Sequence, residues 1–391
     1  MARFGGWRGT AILALTVVLG AAPVFAGDAK LNDSARILAG LEVDPASALV
    51  PLTKTKGFAS HAEFFNKAWT RLDANQLSKV RAWSAENVKK TQPALFYMFS
   101  GPDFLYANAI FPKASTYVLA GLEPPGDIPD MASLPKPAVT EELRGLRASL
   151  NSVFSYSFFI TKHMRRDLHS RRLTGTLPVL FAFLARSGKT IESVSMIGLD
   201  ADGTVHALDN AASGESKYGS VGAKIVFSAP DGEQQTLYYF KTDLSNDGTG
   251  HSGFLKFCEG LGEGDALVKS ASYLMHGDGF SRVRDFLLDH SAAIVQDDSG
   301  VPLKKFDLSQ WQVEPFGSYV RPISLFHRNY QPDLHGFFVK RNPERLGFSF
   351  GYQWKAGKSM VLLAMKKTDS ASYAANKPLA QPAGSSEVSR D

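Results

Sequence analysis

Three polar loops follow apolar runs in this sequence: Ser100-Gly-Pro-Asp103, Thr242 to Gly248, and Gln296-Asp-Asp-Ser-Gly300. If the strands before them end at one sheet edge, Asp103, Asp243, Asp247, Asp297 and Asp298 crowd together. Crowded carboxylates hold a cation or raise one another's pKa, and both arrangements mark functional sites. In a hydrolase of that kind Asp103 or Asp297 would serve as the catalytic base, and Asp243, Asp247 and Asp298 as metal ligands. Ser100 and Tyr106 beside Asp103 are candidate ligand contacts. Arg284 and Arg321 are the cations expected nearby, as charge partners or anion ligands. The plainer reading makes the acids Asx turns and surface ion pairs. Antiparallel neighbours end at opposite edges, which works against convergence.

Asp243-Leu-Ser-Asn-Asp247-Gly248 begins like a calcium loop, with oxygen ligands at positions one, three and five and Gly at six. The twelfth position, which should be Glu, is Phe254. A complete loop is excluded, and a divalent cation such as calcium would need ligands from elsewhere. Other motifs fail outright. Arg186-Ser-Gly-Lys-Thr190 resembles the end of a phosphate-binding loop, but Phe183 stands where its first Gly belongs. Gly357-Lys-Ser359 fails likewise, with Tyr352 in that place. There is no His-Glu-x-x-His and no Gly-x-Ser-x-Gly. Cys258 lies among Phe254, Leu255 and Phe257, an apolar setting that suits core better than a reactive thiolate.

Lys162, Arg165, Arg166, Arg171 and Arg172 form one basic cluster. It could touch an anionic membrane surface, or simply place cations at a helix end. It lacks the interleaved aromatics of a single-strand nucleic-acid site, so no nucleic-acid partner is expected.

Those residues have to be positioned by a large core. The chain has 391 residues, 44% hydrophobic, with 27 Phe and a single Cys, which excludes an internal disulfide and any cysteine-cluster metal site. Phe64, Phe65, Ala68, Trp69 and Leu72 recur at helical spacing within 60–90. Ala94 to Phe99 and Thr116 to Ala120 read as strands. The stretch 124–137 holds five prolines and reads as a rigid loop or domain seam. A long helix is expected from an N-cap at Thr140, and a short apolar one over Leu177 to Arg186. Ile191–Leu199 with Thr204–Leu208, and Ala223–Ser228 with Gln235–Lys241, flank Asp-Gly turns as an antiparallel meander. Helices are expected near 252–261, 265–275 and 281–290, and strands near 292–296, 317–323, 347–353 and 360–366. The last two should pair as a C-terminal hairpin. The expected fold class is α+β, with a mainly antiparallel sheet and about six helices, in one integrated domain over 27–367.

The N-terminus carries Arg3 and Arg8, then an apolar run, then Val24 and Ala26 before Gly27. This is the pattern of a secretory signal peptide cleaved after Ala26, and the expected location is periplasmic or secreted. Cleavage leaves 41 basic and 38 acidic residues from the original 43 and 38, a near balance that demands no polyanionic partner. From 368 onward the composition is that of a disordered tail.

Phe99-Ser-Gly-Pro-Asp-Phe-Leu-Tyr106, Thr116-Tyr-Val-Leu-Ala-Gly-Leu-Glu-Pro124 and Thr236-Leu-Tyr-Tyr-Phe-Lys-Thr-Asp-Leu-Ser245 resemble segments of an uncharacterised family of bacterial exported proteins. Ser270 to His276 and Arg284 to Pro302 belong with them. The resemblance implies export and one shared fold, and transfers no activity. The expected function is a binding or envelope-associated protein with an unidentified envelope or small-molecule ligand; the alternative is a carboxylate- or metal-assisted hydrolase of envelope or extracellular material.

Overall fold

The computed structural model describes residues 27–156, 172–215 and 217–367. The expected signal peptide, the C-terminal tail, and Lys162, Arg165, Arg166 and Arg171 lie outside the described residues. Arg172 is exposed, and its backbone N–H donates to Glu142 Oε1.

Ten strands form one mixed sheet: β1 (Ala94–Tyr97), β2 (Thr116–Gly121), β3 (Thr190–Leu199), β4 (Val205–Leu208), β5 (Ser220–Ser228), β6 (Gln234–Lys241), β7 (Gly264–Val268), β8 (Ser291–Gln296), β9 (Trp311–Gly317) and β10 (Met360–Lys366). Their order is β4-β3-β5-β6-β2-β1-β7-β8-β10-β9. The fold is α+β as expected, and the meander of β3, β4, β5 and β6 pairs as its turns require. Five of the nine strand pairings are antiparallel, in line with the expectation of a mainly antiparallel sheet, but the centre is not. β6, β2, β1, β7 and β8 are parallel throughout, with antiparallel strands only on the two wings. Among the described residues, seven helices reach ten or more residues, above the six expected.

Parallel central strands need cover on both faces, and their sequences supply it. β1 reads Ala-Leu-Phe-Tyr, all buried. Successive side chains point to opposite faces. Leu95 and Tyr97 therefore join Tyr117, Leu119, Leu237 and Tyr239 in one core, while Ala94, Phe96 and Met98 join Val118, Ala120 and Phe240 in the other. Helices 56–72, 104–110, 136–156 and 177–186 bring their apolar residues to the first core; 254–260, 281–290 and 332–341 bring theirs to the second. The helix Leu177–Arg186 is buried from Leu177 to Leu184, as its unbroken apolar sequence demands.

Three expected elements are corrected. The stretch 265–275 is no helix: its start is β7, stopped by a turn of residues at positive φ. A short apolar run such as Ala266-Leu-Val268 fits a buried strand as well as a helix, and pairing with β1 and β8 decides it. The strand expected over 317–323 lies earlier, as β9, which ends at Gly317, and no strand covers 347–353 beyond an isolated bridge between Phe350 and Gln353. Gly351, at φ +67°, curls that segment over the end of β8. The C-terminal hairpin is therefore absent, and β10 inserts between β8 and β9 instead. The long helix begins at Lys136, four residues before Thr140, with Pro137 in its first turn.

Taken in chain order, the parallel strands β1, β2, β6, β7 and β8 lie as third, second, first, fourth, fifth. This is the order of doubly wound sheets, which reverses direction between the first strand and the fourth. Here the reversal falls between β1 and β7.

Candidate ligand pocket

Where a doubly wound sheet reverses, the loops leaving the two strands part and a crevice opens beyond their carboxyl ends. A cavity of about 580 Å³ occupies that place, within the range that holds small molecules. It is lined by the loops after β1, β2, β6 and β7 and by residues of the C-terminal segment, Tyr352 among them.

Its floor is a buried ion pair. Lys269, which follows β7, places Nζ 2.9 Å from Asp103 Oδ2, with the two side chains only 1% and 2% exposed. Tyr97 at the end of β1 donates its hydroxyl to the same oxygen at 2.7 Å. Asp103 Oδ1 accepts from the Tyr106 backbone N–H and caps the helix Phe104–Ile110. The Lys269 ammonium also lies 4.1 Å from the centre of the Tyr106 ring, a cation–π contact. Burial and the Asp103 charge push the Tyr97 phenol well up, so it stays a donor.

Behind this pair sit the two carboxylates after β8. Asp297 accepts from Ser299 Oγ, from the Ser299 N–H and from the Ser270 N–H. Burial raises its pKa, against those hydrogen bonds and Lys269. Asp298 accepts from the Tyr273 hydroxyl at 2.7 Å, and burial followed by the Asp297 charge raises its pKa. The Tyr352 hydroxyl donates to the Ser270 carbonyl and accepts from the Ser272 N–H, which ties the 350–353 turn over the site. A Cβ on Gly351 would lie 1.8 Å from Asp297 Oδ2.

Backbone strain concentrates here. Among the described residues, five non-glycine residues have positive φ: Phe99, Ser270, Ser272, Tyr273 and Asn342. The first three line the cavity and Tyr273 follows directly. Such conformations cost on the order of 1–3 kcal/mol each and persist where the surroundings enforce them, typically at binding and catalytic sites.

On the β2 side, Glu123 is 4% exposed, and its Oε1 has no hydrogen-bond partner. The rim is apolar: Leu122 and Leu325 line the mouth while 57% and 76% exposed.

The loops after β1, β6 and β8 do leave one edge of the sheet, because their strands are parallel rather than antiparallel neighbours. Ser100 and Asp103 line the cavity, the Tyr106 ring lies against Lys269 beneath it, and Asp297 and Asp298 stand behind the floor, outside the lining. Ser100 is structural: its hydroxyl bonds the Gly101 carbonyl and accepts from the Ala120 N–H, joining the β1 loop to β2. Asp243 lies at the mouth, exposed, accepting from the Ser245 N–H of its own turn. Asp247 is exposed in the first turn of the short helix 246–251, outside the lining. Among the described residues no group of three or more His, Cys, Asp or Glu side chains could hold a metal ion. Arg284 is buried, props the 275–277 turn by donating to the Met275 and Gly277 carbonyls, and pairs with Asp285 beside it. Arg321 is exposed and outside the lining; its carbonyl accepts from Gln353. Cys258 is fully buried, and burial pushes its thiol well up. Lys269, Tyr97, Glu123 and Tyr352 went unnoticed in the sequence. The available signal was a charged residue placed straight after an apolar run, in Ala266-Leu-Val-Lys269 and Ala120-Gly-Leu-Glu123.

Comparison with family models, with curated proteins and with solved structures finds no match. The reading of function rests on the geometry.

Proposed function

We propose that this chain is a binding protein for a small molecule with an apolar body and a neutral or cationic polar end. The charge and shape of the cavity lining support this reading. Three carboxylates, Asp103, Glu123 and Asp243, line it against one ammonium, Lys269. An anion entering there meets net negative charge in a partly desolvated setting, where repulsion is weakly screened. The apolar rim of Leu122, Leu274 and Leu325 offers the ligand body a surface already exposed to solvent. Export after cleavage at Ala26 is part of the same proposal and would bring the pocket to envelope or extracellular solutes.

Hydrolysis is the weaker reading. Asp103 already faces Lys269, Tyr97 and the Tyr106 N–H, and Asp297, held by three donors, lies outside the cavity lining, so the two carboxylates do not face a substrate there as a pair.

The neutral fluorophore N-phenyl-1-naphthylamine tests the proposal. Its emission should rise on addition of residues 27–391, saturate at micromolar probe, and weaken about tenfold in affinity when Leu122 and Leu325 are both changed to Asp, through lost apolar contact. An unchanged emission, or a signal that ignores both substitutions, would remove the pocket as a binding site.

A further inference from the structure

We infer that Glu123 receives the vicinal diol of a ribofuranosyl ring, so that the ligand is an unphosphorylated nucleoside. The inference rests on the binding reading above and gives it a chemical class. Four features of the site carry it.

First, Glu123 follows β2, the strand beside β1 in the doubly wound order. In the dinucleotide-binding members of such sheets an acidic residue about 20 positions past the glycine turn after the first strand takes the ribose hydroxyls, because the end of the second strand borders the crevice. This chain lacks their full glycine fingerprint but keeps the acid at that place. Gly101, at φ +53°, stands in that turn, and Glu123 lies 22 positions further on. Second, the Glu123 carboxylate is nearly buried, lines the cavity, and has Oε1 without a partner. A desolvated carboxylate oxygen without a donor is costly, and adjacent hydroxyls supply two donors at the spacing of its two oxygens. Third, the backbone beside it is bare. A Cβ on Gly121 would lie 2.7 Å from Glu123 Oε2 and 3.0 Å from Gly101 Cα, so only glycine lets the two loops and the carboxylate approach so closely.

Fourth, the usual phosphate position is taken. Nucleotide phosphates sit on the N-terminus of the helix after the first strand. Here Asp103 occupies that end with its own carboxylate, hydrogen-bonded to the Tyr106 N–H. A phosphate would face that charge and the net negative lining, whereas a nucleoside ending in a hydroxyl would not. Leu122, Phe280 and Phe326 provide the apolar surface that a flat base requires.

Isothermal titration of residues 27–391 with adenosine, guanosine, cytidine and uridine is the test. At least one should bind. Its 2′-deoxy form should bind roughly tenfold or more weakly, the scale of a hydroxyl bonded to a charged acceptor, and its 5′-triphosphate should also bind more weakly. In Glu123→Gln, which removes no protein partner of Oε1, the ribose/deoxyribose difference should collapse. Equal binding of the ribose and deoxyribose forms would overturn the inference, and this comparison needs no variant. Tighter binding of the triphosphate, or binding of phenyl β-D-glucoside with none of the four nucleosides, would overturn it as well. If N-phenyl-1-naphthylamine binds and no nucleoside does, this inference falls while the binding reading stands. If neither binds, both fall.

Discussion

Changing Lys269 to Met removes the ammonium that faces Asp103 and keeps most of the side-chain volume. The pair is 2.9 Å apart with both side chains almost fully excluded from solvent. Deleting one member strands the other as a buried charge, at a cost of about 3–5 kcal/mol. Tyr97 still donates to Asp103 and the Tyr106 cap remains, which argues for the lower end of that range. Lys256 and Asp202 form an internal control at a similar 2.8 Å, but with side chains 57% and 85% exposed. Lys256→Met should leave the urea midpoint close to the parent's, since water already solvates both charges. Urea unfolding at pH 7, followed by tryptophan fluorescence, should show a lowered midpoint with unchanged m for Lys269→Met. Adding Asp103→Asn should recover part of the loss, so that the double variant costs at least 1 kcal/mol less than the summed singles. A Lys269→Met cost below about 1 kcal/mol, or strict additivity with Asp103→Asn, would refute the claim that this pair anchors the pocket floor.

Two further predictions concern stability. The His61 ring is buried and its pKa is pushed down to about 4, chiefly by burial. Between pH 6.5 and 4 the unfolded chain therefore takes up the proton more readily than the folded one. Stability held above pH 6.5 should fall by up to about 3 kcal/mol on the way to pH 4; His61→Gln should flatten that part of the urea midpoint profile, and an unchanged slope would contradict it. Gly351→Ala would set a Cβ against Asp297 Oδ2 at a residue with φ +67°, so the thermal midpoint should drop by several degrees; a midpoint within one degree of the parent would show that the turn does not press on Asp297.

The wings of the sheet were legible because local turn chemistry and alternation specify them. Asp200-Ala-Asp-Gly203 and Pro230-Asp-Gly-Glu233 join strands that pair with their sequence neighbours. The centre was not, because a parallel pair joins segments far apart in sequence and nothing local marks the partner. The same blindness hid the site. The sequence marks Asp103 and Asp297 as acids after strands, but their convergence depends on strand direction, which the short runs β1, β7 and β8 do not encode singly. Lys269 falls within 265–275, expected as a helix, and stands at the floor because that stretch begins as strand β7. Arg284 shows the opposite error: its charge suggested a ligand contact, yet backbone carbonyls take up its guanidinium.

The parallel centre also sets how the chain must fold. Gly121 pairs with Lys241, 120 residues later, and Ala94 with Gly264, 170 residues later. The loop entropy for those pairings is lost before any of their contacts are made, so the central strands close late and folding is slow. The hairpins β3–β4 and β5–β6 need no such wait and are the natural first structure. Until β6 and β7 arrive, β1 and β2 hold their hydrogen-bonding edges and apolar faces open to other molecules. Refolding yield should therefore fall with protein concentration, and the pocket, whose walls come from those late strands, is the last part of the molecule to exist.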